Sequence, residues 1–102
     1  MLIYLVRHGE DKNDNLTKLG KKQIKLLAKT FQDTKFDAFY TSPLNRCLQT
    51  TAIINKTTKC NVVVDDRLKE DCLKIAKKYW RGAKIEQFDA LSPEYSIKIE
   101  KK

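Results

Sequence analysis

Five apolar residues in unbroken succession, Leu2-Ile3-Tyr4-Leu5-Val6, end abruptly at Arg7-His8-Gly9. A strand with one wet face alternates apolar and polar residues, so an unbroken run predicts a strand covered on both faces. Helices must then lie on each side of the sheet, and the following sequence supplies them. Residues 10–16 are polar and turn-prone and read as a loop. From Thr17, a suitable N-cap, the period becomes helical. Leu16, Gly20, Ile24, Leu27 and Phe31 share one face, and Lys18, Lys22, Lys25 and Lys29 share another.

Residues 36–41 (FDAFYT) are rich in aromatics and read as a second strand. Ser42-Pro43 then opens a helix: serine can cap free amides, and proline at the first helical position has no amide hydrogen to leave unpaired. That helix is expected to turn Leu44, Cys47, Leu48, Thr51 and Ile54 inward and to fade into Asn55–Lys59. Residues 61–64 (NVVV) read as a third strand, and residues 66–80 as a helix with Leu68, Cys72, Ile75 and Tyr79 inward and a stop at Gly82. Strand–helix alternation of this kind is the pattern of an α/β domain with a parallel sheet and right-handed crossovers. Beyond residue 82 the pattern weakens. Ser92-Pro93-Glu94 could start a short helix, and residues 97–102 look like a frayed end.

The chain has 102 residues, which suits one domain, 1–102, because two cores would each fall below the size that folds unaided. A hydrophobic fraction of 41% against 33% charged residues argues against disorder. No apolar run approaches the roughly 20 residues that cross a bilayer, and the N-terminal run lacks the basic region and cleavage site of a signal peptide. The expectation is a cytoplasmic protein with reduced thiols. Cys47, Cys60 and Cys72 are odd in number and widely spaced, which disfavours a disulfide framework or a zinc site. They are expected to fill the core. No metal or organic cofactor is indicated. The net charge of +8 suits an anionic partner, although lysine-rich surfaces mostly serve solubility.

Ligands of open α/β sheets bind beyond the carboxyl ends of the strands. Arg7-His8-Gly9 stands at one such end, and Thr41-Ser42 with the following helix start at a second. Residues 65–70 follow a third. Arg46 lies one turn into the helix after Ser42-Pro43. Its planar guanidinium matches phosphate oxygens, a helix N-terminus favours the same anion, and an imidazole beside them can act as a nucleophile toward phosphorus.

At these residues the chain resembles the histidine phosphatase superfamily, also called phosphoglycerate mutase-like. Residues 5–10 (LVRHGE) are similar to its nucleophile motif and residues 16–23 (LTKLGKKQ) to its helix start. Residues 37–50 (DAFYTSPLNRCLQT) are similar to its "DxxYxSPLxRxxQT" segment, and residues 66–70 (DRLKE) to its "DxRLxE" segment. Each motif alone is weak; four in order are specific. The resemblance covers residues 1–70 well. It is fainter over 71–102, where Trp80-Arg81-Gly82 and Ser92-Pro93-Glu94-Tyr95 are similar to the family's "WxG" and "PExY" stretch.

The resemblance implies a parallel-sheet, three-layer α/β phosphoglycerate mutase-like fold, C-terminally shortened, in which His8 attacks a phosphoryl group to form a phosphohistidine that water hydrolyses. Arg7 and Arg46 would hold the phosphoryl oxygens, and Glu70 would protonate the leaving oxygen. Glu70 equally suits a surface ion pair with Lys74. Glu10 and Asn13, in the loop after His8, could contact substrate. The partner would be a small phosphorylated substrate or a phosphoprotein, with no membrane involved. The family carries a second histidine on a later strand, and this chain has only one. In the complete fold a later strand also lies between the first and second strands, so a compact three-stranded remnant is expected. Two other readings follow: a catalytically inactive phosphate-ligand-binding or interaction protein, and, less favoured, a basic nucleic-acid-binding module using the lysine stripe, which lacks the interleaved aromatics suited to single strands.

Overall fold

The computed structural model describes residues 1–89, so the expectations for residues 92–102 lie outside the described residues. The chain forms a small α/β structure consistent with a shortened phosphoglycerate mutase-like fold. Strand β1 (Leu2–Arg7) leads through a hairpin, β2 (Asp11–Lys12) and β3 (Asn15–Leu16), into helix α1 (Lys18–Ala28). Then come β4 (Ala38–Thr41), α2 (Asn45–Thr58), β5 (Asn61–Val64), α3 (Cys72–Tyr79) and β6 (Lys84–Asp89).

Helix α1 forms as its sequence dictates. Thr17 caps it, accepting from the Gly20 amide at 3.0 Å. The expected inner face is buried throughout: Leu16, Gly20, Ile24, Leu27 and, in the short 3₁₀ turn that follows, Phe31. These residues join Ala28, Ile54 and Phe88 in one core cluster, with Tyr4, Val6, Phe36, Phe39 and Ile53 packed against it. The rings of Tyr4, Phe31 and Phe88 lie 4.9–5.8 Å apart, centre to centre, a spacing at which tilted aromatic pairs attract.

Several expectations fail locally. Residues 10–16 are not a plain loop: Asp11 and Lys12 pair with Leu16 and Asn15, because Asn13 and Asp14 both take positive φ, 52° and 64°, the conformation a two-residue hairpin needs. Helix α2 starts at Asn45 rather than Pro43, and it runs to Thr58 with Lys59 as a left-handed cap. The proposed helix over 66–80 divides into a 3₁₀ turn (Asp66–Lys69) and α3, because Asp71 caps a fresh start by accepting from the Leu73 and Lys74 amides. Tyr79, expected inside, is 47% exposed. Cys72 is exposed while Cys47 and Cys60 are only half-buried, so the thiols do not fill the core.

The largest departure is in the sheet. A continuous three-stranded remnant does not form. β1 pairs in parallel with β6, a strand the sequence pattern did not disclose, and β4 pairs in parallel with β5. β1 and β4 do not pair with each other. A cavity of about 380 Å³ lies between them, lined by every residue of 1–6 and of 37–42. Residues that alternate between the two faces of a sheet can all line one space only if it runs along the strands' edges. Helices α2 and α3 flank this seam, through Thr51 and Ile54 on one and Cys72 and Ala76 on the other.

Candidate active site

The loop after β1 is pinned from two sides. Gly9 and Gly20 meet backbone to backbone: a Cβ on Gly9 would stand 2.6 Å from the Gly20 carbonyl oxygen, and one on Gly20 would stand 2.1 Å from that of Glu10. Only glycine permits the approach. From the other side, the Gly9 amide donates to Thr50 Oγ1 at 3.3 Å, and that hydroxyl donates to the Arg46 carbonyl at 2.8 Å. The His8-Gly9 peptide is thereby held against the first turns of α2, beside Arg46. Gln49 accepts from the Leu16 amide at 2.6 Å and reaches Asn15 at 3.3 Å. Gln49 and Thr50 thus hold the hairpin and the histidine loop.

His8 lies at the end of the seam and lines the cavity with Thr41, Ser42 and Cys47. Its Nδ1 is 2.8 Å from the Gly9 carbonyl oxygen and 3.6 Å from Asp11 Oδ1. Both neighbours are acceptors, so in the neutral ring the proton belongs on Nδ1 and the lone pair on Nε2. The ring is oriented through one nitrogen and offers the other.

Arg46 is held by Asp14. Asp14 Oδ1 accepts from the Arg46 amide at 3.0 Å and from its Nη1 at 3.1 Å, while Oδ2 accepts from the Asn45 amide at 3.1 Å. Ser42 was the expected cap; it is buried, and its hydroxyl oxygen accepts only a long bond, 3.4 Å, from the Leu44 amide. The α2 N-terminus is capped from the hairpin instead. The Arg46 amide, with the Asn45 amide and the guanidinium adding to it, holds the Asp14 carboxyl below the usual carboxylate range against the opposing effect of partial dehydration. Arg7 pairs with Asp89, its register partner on β6, at 3.4 Å, but its side chain is 60% exposed.

The structure therefore ties the loop that follows His8 to the first turns of α2, through Gly9, Thr50 and the Arg46 carbonyl, while the Arg46 guanidinium turns to Asp14 and that of Arg7, the last residue of β1, to Asp89. It leaves Glu70 apart: exposed, between the 3₁₀ turn and α3, with no hydrogen bond or ion pair to the His8 loop among the described residues. Nor does Glu70 pair with Lys74 there; the ion pairs of this turn are Lys69–Asp66, at 2.9 Å, and Arg67–Asp65. Glu10 receives a bond from the Thr17 hydroxyl at 2.9 Å, its amide donates to Gln23 at 3.1 Å, and its carbonyl accepts from the Thr17 amide. It secures the start of α1. Asn13 is an exposed turn residue. Sequence reasoning gave no role to Asp14, nor to Gln49 and Thr50, although those two close the family-like segment over 37–50. The signal for Asp14 was the Asn13-Asp14 pair, which suits a left-handed turn. Among the described residues no group of three or more His, Cys, Asp or Glu could hold a metal ion, and no helix is long and apolar enough to cross a membrane.

The described chain is thus a parallel α/β framework with a histidine just after β1 and an arginine in the first turn of α2. The sequence comparison gives the family. Residues 3–96 match the model of the histidine phosphatase superfamily (branch 1), and the chain belongs to that family. It is 35% identical over 79 residues to "Putative phosphoserine phosphatase 2" of Hydrogenobacter thermophilus, covering 67% of this chain and 39% of the relative. It is 30% identical to "Phosphoserine phosphatase 1" of the same organism, covering 90% of this chain and 47% of the relative. Its identity to "Probable phosphoglycerate mutase GpmB" of Photorhabdus laumondii is 32%, over 67% and 37%. The chain thus spans less than half the length of these relatives.

Proposed function

We propose that this chain carries the nucleophile of a histidine phosphatase acting on a phosphate monoester, small or protein-borne. The observation that carries the reading is the bonding of His8: Nδ1 faces acceptors, which leaves Nε2 as the lone-pair donor. In the first step Nε2 forms a bond to phosphorus as the ester P–O bond breaks, and the leaving oxygen takes a proton. In the second, water attacks the phosphohistidine and releases inorganic phosphate, restoring the ring. Arg46 and Arg7 stabilise the charge on the phosphoryl oxygens, so positioning and electrostatics supply most of the rate. Glu70 is our candidate for the leaving-group proton, and its exposure means that substrate, rather than a protein contact, must bring it into play.

The test is turnover of an aryl phosphate together with acid-labile labelling by a radioactive phosphoryl donor. Labelling is expected in the wild type and lost in His8→Ala. A folded wild-type protein that takes up no label overturns the catalytic reading. A second reading, phosphate-ligand binding without turnover, draws on the two arginines being already engaged by Asp89 and Asp14. It predicts phosphate binding that is lost in Arg46→Ala, with no label on His8.

A further inference from the structure

We infer that Asp14 is the gate of the phosphate subsite: its carboxylate sits where a phosphoryl group would bind, and the charge at position 14 sets the affinity for phosphate. The inference rests on the reading of Arg46 as a phosphate ligand. Two main-chain amides at the start of a fourteen-residue helix and one guanidinium converge on this carboxylate, at 3.0–3.1 Å. Amides at a helix start together with an arginine fork are the donor set that suits a phosphoryl group. Asp14 is an anion that the chain itself delivers to that set.

The delivery is built in. Asp14 occupies the second left-handed position of the two-residue turn, and the turn is tied down on its α2 side. Asn15 Oδ1 accepts from Asn45 Nδ2 at 2.6 Å and from Gln49 Nε2 at 3.3 Å. The same hairpin places Asp11 beside the His8 ring. An incoming dianion therefore meets one carboxylate on Arg46 and has another nearby, on the far nitrogen of the His8 ring. It can bind Arg46 fully only by displacing Asp14 or by tolerating it, and both cost affinity.

The competing account makes Asp14 a cap that orients Arg46. The two accounts predict opposite results for Asp14→Asn. Asparagine caps a helix about as well as aspartate, so the hairpin and α2 should persist while the charge is removed. The probes are inorganic phosphate and orthovanadate, titrated calorimetrically into the full chain, with circular dichroism as the check on folding. Gating predicts that Asp14→Asn binds either anion about tenfold tighter or more than the wild type, and that the gain disappears in Asp14→Asn/Arg46→Ala. The control Asp66→Asn, at an exposed carboxylate of the 3₁₀ turn, should change nothing. A folded Asp14→Asn that binds phosphate equally or more weakly overturns the gate. Should that variant unfold, Asp14→Ser, which keeps a capping oxygen without the charge, faces the same two outcomes.

The labelling assay separates this inference from the catalytic reading. Labelling without tighter binding in Asp14→Asn removes the gate and leaves the phosphatase. Arg46-dependent tightening without labelling keeps the gate and removes the phosphatase. If neither the label nor any phosphate binding is seen, both fall.

Discussion

The two sides of the seam are built to different standards. On the β1–β6 side, Phe88 is 1% exposed and packs against Phe31 and Tyr4, and α1 closes over them. On the β4–β5 side, Val62, Val63 and Val64 are 43%, 38% and 55% exposed. The exposed strand β5 (NVVV) is the more apolar of the two and β6 (KIEQFD) the more polar, so composition does not explain the contrast; what covers each strand does. The histidine loop belongs to the closed side and is bound to α2 by side-chain-to-backbone hydrogen bonds rather than by the sheet. The geometry of the candidate site thus depends little on whether β1 and β4 are joined.

That comparison can be broken most sharply by Phe88→Ala. Removing a ring from the closed side should cost about 3–5 kcal/mol, read as a lower urea midpoint. A loss near the ~0.5 kcal/mol of an ordinary surface change would show that the two sides are equally loose. Gly20→Ala comes next. Alanine in a helix normally gains about 1 kcal/mol over glycine, but here the new methyl would meet the Glu10 carbonyl oxygen at 2.1 Å. Overpacking of that kind costs about 1–3 kcal/mol or more, so the variant should be the less stable protein in thermal melts, with phosphate binding weakened as the loop shifts.

Thr50→Val keeps the shape and removes the hydroxyl between the Gly9 amide and the Arg46 carbonyl. It should cost about 1–3 kcal/mol, since the buried amide loses its acceptor, and should lower kcat for an aryl phosphate more than the loss of folded protein explains. A stable variant with unchanged turnover would mean the sheet, not α2, holds His8.

A smaller effect concerns acid. The carboxyl of Asp14 lies below its ordinary value of 3.8 because the folded chain binds its anion. A depressed carboxyl contributes stability that is present above the ordinary value and is lost as pH falls through the folded value. The wild type should therefore melt above Asp14→Asn at neutral pH, and the gap should close as the pH is taken below the carboxylate range. A gap that persists there would remove the charge-assisted cap. Smallest of all, Val64→Thr on the open side should shift the melting temperature little, because that side chain is already largely hydrated.

Much of the closed side was legible in the sequence. The unbroken apolar run gave β1, and the 3.6-residue period with Thr17 gave α1 and all five residues of its inner face. Residues 61–64 were read with the bounds that β5 adopts. The strand β6 was not legible, because residues 84–89 (KIEQFD) mix charge with apolar residues and only pairing beside β1 makes them a strand. The start of α2 was misplaced because its cap comes from residue 14, some thirty positions away in sequence, and local pattern reading is blind to such partners. Among the candidate site residues, His8, Arg7 and Arg46 were singled out through their motifs. Asp14 was not, since nothing in an Asn-Asp pair says which helix its turn will meet.

The gap between β1 and β4 has a consequence for the solution behaviour of individual peptide groups. Along a strand, successive N–H bonds point to opposite sides, so β1 presents some of its amides to β6 and the others to the gap. Deuterium uptake should then alternate along residues 2–7, slow where β6 accepts and fast at the intervening positions, and the same alternation should recur in β4. Such a map would trace the two unshared borders hydrogen by hydrogen.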